Sequence, residues 1–306
     1  MWAGRAAPAP AHAEVYVRYA VLVSRLKLRE SGVCFCCYWA EPVSTSLTRA
    51  ESELERPPAR AQGGTEQRKG GKGSCRAAEP LRMNPAARAE PVEDVQGDAR
   101  WLSQHNRFVQ ECKDAEPDVL FVGDSMVQLM QQQEVWKELF SPLHVLNFGI
   151  AGDTTCNVLW RLQNGELQNI RPKVVVVWVG TNNYQHTAEQ VAGGVMEIVQ
   201  LMVNQLQHTK VILMGLLPRG EKPNPLRQKN AEVNRLLQAS VSRLKPVQFL
   251  DLSSGFVHSD GTILSRDMFD YLHLTASAYR RVAKTLHELL LQILEETPEE
   301  KQTPLP

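Results

Sequence analysis

Cysteine is scarce, six in 306 residues, far below the density of a small disulfide-stapled domain. Neither sign of charge is in excess, since 34 Lys and Arg meet 34 Asp and Glu. A dedicated nucleic-acid binder would carry a basic surplus, so that class is set aside. No apolar run reaches the ~18 residues a membrane helix needs. Metal-binding spacings are missing as well: there is no H-E-x-x-H, no paired C-x-x-C and no acidic cluster. What is left, at 43% hydrophobic and 22% charged residues, is an ordinary globular composition. The length suits one or two domains.

The neutral total hides two unequal parts. Residues 1–82 carry 13 Lys and Arg against 8 Asp and Glu, and residues 83–306 carry 21 against 26. The first part is rich in Ala, Pro, Gly and Arg, with a breaker-dense stretch from Arg56 to Pro80. Such a segment buries too little apolar surface to offset its chain entropy, so 1–90 is expected to be a largely disordered extension. An apolar patch at 15–28 is interrupted by Arg18 and Arg25 and precedes no small-residue cleavage site, which argues against a secretory signal. Cys34, Cys36, Cys37 and Cys75 lack zinc-ligand spacing and read as free thiols. Met83 opens a stretch that itself reads like the start of a protein, so 1–82 is expected to add nothing to the chemistry.

The second part alternates short β-branched runs with helical patterns. The runs are 118–123, 145–150, 173–180, 210–217 and 248–252. Continuous apolar segments of this length suit strands buried on both faces, as in a parallel sheet. Helical periodicity falls at 126–139, 188–206, 226–244 and 275–295, with Pro225 placed to start a helix and Pro298 beyond the last one. Five such repeats predict one open, doubly wound α/β sheet, with its site at the carboxyl ends of the strands.

Four polar features stand at those ends. Gly123-Asp124-Ser125 follows the first strand and puts a hydroxyl and an amide N–H at a helix start, although serine there is often only a cap. Gly149-Ile150-Ala151-Gly152-Asp153 follows the second, where glycines allow turns or the close approach of an N–H to a reacting centre. Gly180-Thr181-Asn182-Asn183 follows the third, offering a side-chain amide to a developing oxyanion or merely an Asx-turn. Asp270-Tyr271-Leu272-His273 precedes the last helix, with a carboxylate spaced to orient an imidazole. Each alone is as well explained by structure. Together, in that order, they call for chemistry.

The order Ser, Gly, Asn, Asp-x-x-His resembles the SGNH (GDSL-type) hydrolases. More narrowly, VGDSMVQLM (122–130), VVWVGTNN (176–183), GLLPRGEKPNPLRQKN (215–230) and MFDYLHLT (268–275) resemble the catalytic alpha subunits of the intracellular platelet-activating factor acetylhydrolases, type Ib, nearer the alpha-2 than the alpha-1 group. The likeness spans roughly 83–306. It implies a three-layer, flavodoxin-like α/β/α fold on a five-stranded parallel sheet, occupying 91–297, with 298–306 as a flexible tail. By the same resemblance Ser125 is the nucleophile, His273 its base and Asp270 the residue that orients His273. The oxyanion hole combines the N–H groups of Ser125 and Gly152 with the amide of Asn182, and Met126, Thr181 and Leu272 line a small acyl pocket. One departure is Ala151, where relatives carry glycine, which puts the local turn in question.

The resemblance further implies removal of the sn-2 acetyl group from platelet-activating factor and related acetylated phospholipids, without a metal or other cofactor. It implies a cytoplasmic homo- or heterodimer of alpha subunits that binds the WD-repeat lissencephaly regulatory subunit. Two other readings stay open: an SGNH esterase for a different short acyl ester, and a dimeric scaffold whose main role is to hold the WD-repeat partner.

Overall fold

Five short, largely apolar strands carry the architecture. The computed structural model describes residues 84–296, and the expectations for the patch at 15–28, the four cysteines of 34–75 and the tail at 298–306 lie outside that range. β1 (Val119–Gly123), β2 (Val145–Gly149), β3 (Val174–Trp178), β4 (Lys210–Met214) and β5 (Val247–Leu250) form one sheet in the order β2-β1-β3-β4-β5, every pair parallel. All five residues of β3 are buried. Alternate residues face opposite layers, so Val175 and Val177 join one core while Val174 and Val176 join the other. Burying each such side chain contributes at most roughly 1.5–3 kcal/mol.

Helices cover both faces. α1 (Arg100–Asp114), α4 (Thr155–Arg161), α5 (Ala188–Gln205) and α6 (Pro225–Val241) pack on one; α2 (Ser125–Gln131), α3 (Glu134–Leu139) and α7 (Ala276–Glu296) pack on the other. Pro225 takes the first helical position of α6, and Asn224 caps it through its side chain. None of these helices is long and apolar enough to cross a membrane. Because β1 is flanked by β2 on one side and β3 on the other, the chain reverses direction across the sheet there. The crevice at the carboxyl ends of β1 and β3 is therefore the natural ligand position.

Three features differ from the sequence-based expectation. The helix expected over 126–139 is two helices, broken at Gln132–Gln133. The spacing explains it: Met130 and Val135 are five residues apart, so a continuous helix could not turn both inward, and the break resets the phase. Trp136 then packs on Phe121 and Phe140, with ring centroids 5.1 Å away in each case. α1 was hidden because its buried stripe is His105, Phe108 and Cys112, only partly apolar. Residues 84–90, assigned by sequence to the extension, include a packed turn. Ala86 is buried and its carbonyl accepts from Thr155 Oγ1 at 2.6 Å.

Candidate active site

Residue 123, the last of β1, has room only for glycine: a Cβ there would sit 2.1 Å from the carbonyl oxygen of Trp178 in the neighbouring β3. Asp124 then caps α2, its Oδ1 accepting from Met126 N at 2.9 Å. Ser125 is the first helical residue. Its N–H is one of those that a helix start leaves unpaired, and its side chain stands in the β1/β3 crevice.

The partner groups come from the other end of the domain. Met268 and Leu274 form an isolated antiparallel bridge, and Phe269 N donates to the His273 carbonyl at 3.1 Å. Tyr271 turns the chain between them at φ 61°. Asp270 Oδ1 accepts from the backbone N–H of Leu272 (3.1 Å) and His273 (2.7 Å), while Oδ2 lies 2.8 Å from His273 Nδ1. His273 Nε2 is 3.0 Å from Ser125 Oγ. An ionised carboxylate only accepts, so Nδ1 carries the proton and Nε2 is left to accept from the serine hydroxyl. Burial pushes the Asp270 carboxyl up, but hydrogen bonds from the His273 ring and the His273 and Leu272 backbone outweigh it and hold it below the usual range.

The other two predicted donors lie on the loops after β2 and β3. Gly152 is exposed at φ 88°, a conformation suited to glycine, and its N–H has no partner among the described residues. Asn182 Nδ2 donates to the Asp153 carbonyl at 3.0 Å, and its Oδ1 accepts from Tyr184 Oη at 3.3 Å. One Asn182 amide hydrogen remains uncommitted. Ala151 is exposed and outside the left-handed region, and its N–H bonds Gln128 Oε1 at 3.2 Å. The departure from glycine is thus absorbed without backbone strain. Met126, Thr181 and Leu272 do come together. With Asp124, Trp178, Leu216 and Leu217 they line a cavity of ≈ 10 Å³, room for about one water-sized group.

Several residues around the site had escaped the sequence reading. Asp124 is buried, and desolvation pushes its carboxyl up to about 7 against the opposing bond from Met126 N. Arg219 Nη1 donates to the Thr181 carbonyl at 2.9 Å, and its guanidinium lies over the Tyr184 ring. Tyr279 Oη donates to the Met126 carbonyl at 3.0 Å, tying α7 to α2. Arg161 is wholly buried between Asp153 and Glu166. The only signal for it was a charge inside an apolar stretch (NVLWRL), which usually marks a helix surface.

Residues 121–281 match the model of the GDSL-like Lipase/Acylhydrolase family. A rat relative, platelet-activating factor acetylhydrolase IB subunit alpha2, is 69% identical over 220 residues, 72% of this chain and 96% of the relative. The bovine alpha1 subunit is 58% identical over 223 residues, 73% of this chain and 96% of the relative. A solved GDSL-like lipase from Bacteroides thetaiotaomicron shares the fold at a TM-score of 0.54 and 20% identity, covering 61% of this chain and 97% of that one. The chain belongs to the GDSL-like lipase/acylhydrolase family and is a serine esterase. Within that family it groups with the platelet-activating factor acetylhydrolase IB alpha subunits, nearer alpha2 than alpha1.

Proposed function

We propose that the chain removes short acyl groups, foremost the sn-2 acetyl group of platelet-activating factor and related acetylated phospholipids, with Ser125 as nucleophile. What supports the reading most directly is the unbroken line from Asp270 through His273 to Ser125, at 2.8 and 3.0 Å, beside so narrow a cavity.

The chemistry follows from those groups. His273 Nε2 takes the hydroxyl proton as Ser125 Oγ attacks the acetyl carbonyl carbon, and Asp270 steadies the imidazolium that forms. The carbonyl oxygen becomes an oxyanion, held by the N–H groups of Ser125 and Gly152 and the free Asn182 amide hydrogen. Each such donor is worth about 3 kcal/mol of barrier. His273 returns its proton to the departing alcohol oxygen, leaving an acetyl-serine. Water, deprotonated by the same histidine, then releases acetate and restores Ser125. Met126, Thr181 and Leu272 receive the methyl group, and the cavity they share leaves little space for a longer chain. That cavity restricts the acyl group and not the alcohol, which favours, as a second reading, another acetyl ester.

The chain also acts as one subunit of an assembly: a homo- or heterodimer of alpha subunits in the cytoplasm, bound by a WD-repeat regulatory subunit. Support comes from the relatives, which are named as subunits alpha1 and alpha2. Within the described residues the esterase domain runs from the packed turn at 84–90 to the end of α7 at 296.

The test is intact mass after a fluorophosphonate probe, followed by rates on matched acetyl and butyryl esters. One adduct on Ser125 and a strong acetyl preference are expected. No adduct, or equal rates on both esters, would overturn the reading.

A further inference from the structure

Arg161 has none of its surface exposed. A guanidinium out of water is tolerated only when its N–H groups find acceptors, and apolar residues of like volume are often as stable in such a place. The acceptors here are well placed. Nε donates to Asp153 Oδ2 at 2.8 Å, Nη1 to Glu166 Oε2, and Nη2 to the carbonyls of Phe148 (3.1 Å) and Gly123 (3.3 Å).

Three of these four groups belong to the segments that carry the reacting groups. Gly123 ends β1 two residues before Ser125. Phe148 lies in β2, four residues before Gly152. Asp153 follows Gly152 directly, and its own carbonyl receives the Asn182 amide at 3.0 Å. The Asp153 carboxylate is clamped from the other side by Trp101 Nε1 at 2.7 Å, and Glu166 is steadied by His105 Nδ1 at 2.8 Å. Neither carboxylate can swing without breaking a second bond. We propose that Arg161 is a positioning residue for the oxyanion donors, its planar fork setting the spacing between Ser125 and the amides of Gly152 and Asn182. A lysine would keep the charge but not the fork. The proposal rests on the reading of Gly152 and Asn182 as oxyanion donors.

The test uses the full chain and compares R161K, N182A and the double variant. Each is titrated with a fluorophosphonate so that kcat is expressed per reactive serine. R161K is expected to lower kcat per titrated site about 10- to 100-fold with KM within about twofold, as expected for donors misplaced by a fraction of an ångström. If Arg161 acts through the oxyanion donors, the combined loss of the double variant is smaller than the product of the two single losses. A kcat per titrated site within twofold of the parent, with only a lower Tm, would overturn the proposal. So would fully multiplicative losses. An N182A variant with parental kcat would instead sink the oxyanion reading itself. Should R161K not accumulate as folded protein, W101F decides: it removes the 2.7 Å bond to Asp153. Its expected loss is about 3- to 10-fold in kcat at constant KM, and an unchanged kcat refutes the proposal.

Discussion

Two polar clusters meet at the ends of β1 and β2, and they differ in how fully their donors are used. Around Ser125, His273 and Asp270 the groups are partly open: the side chains of His273 and Asp270 are 16% and 15% exposed, and the Gly152 N–H and one Asn182 hydrogen await a partner. Around Arg161, Asp153 and Glu166 the side chains are 0% exposed, and their polar atoms are committed within the protein. A proton can be moved only where a lone pair or a hydrogen is left over. Geometry is held best where nothing is left over. On the proposed roles, reactivity and rigidity are divided between adjacent clusters joined through Asp153, whose carbonyl accepts from Asn182 and whose carboxylate accepts from Arg161.

That division can be tested by breaking each side in turn. The largest effect belongs to S125A, expected to reduce acetyl-ester kcat by at least about 10⁴-fold while the melting temperature stays within a few degrees, since a small serine at a strand end carries little packing. D270N comes next, at about 10³- to 10⁴-fold in kcat, because the amide cannot hold His273 in the tautomer that leaves Nε2 free. Steady-state kinetics on a chromogenic acetyl ester measure both. N182A is expected to cost about 10²- to 10³-fold in kcat with little change in KM. A loss confined to KM would mean that the amide binds ground-state substrate.

On the rigid side the readout is stability. R161M strands two buried carboxylates and is expected to cost about 3–5 kcal/mol in denaturant unfolding; an unchanged midpoint would mean that the cluster is not dry.

The smallest effect concerns Asp124, whose carboxyl sits near 7 instead of the ordinary 3.8. Between those values the folded state holds more protons than the unfolded one, so this group's contribution to stability falls as pH rises from about 4 to 7. D124N keeps the cap acceptor and removes the titration. Its melting temperature relative to the parent should therefore rise between pH 5 and pH 8, by at least about 2 °C. Parallel pH profiles for the two proteins would contradict the raised value.

The proposed reacting groups were legible as candidates because each stands beside a strand or helix boundary that apolar patterning reveals. Val119–Val122 and Val174–Trp178 announce themselves, and Ser125 and Asn182 follow within a few residues. The supporting cluster was not legible. Arg161 and Glu166 look like surface residues in sequence, and what buries them is a helix, Arg100–Asp114, whose inward stripe includes His105 and so evades an apolar pattern. The split at Gln132–Gln133 escaped for a related reason. No breaker marks it, and only the phase demanded by the sheet requires it.

The turn that holds Asp270 and His273 is closed on itself by the Met268–Leu274 bridge, so the proposed base and the carboxylate that orients it form one local unit. The hydroxyl they serve lies 148 positions earlier in the chain. All five strands precede that unit, so the sheet positions the hydroxyl while the segment after the sheet brings the imidazole to it, seated by α7 through Tyr279.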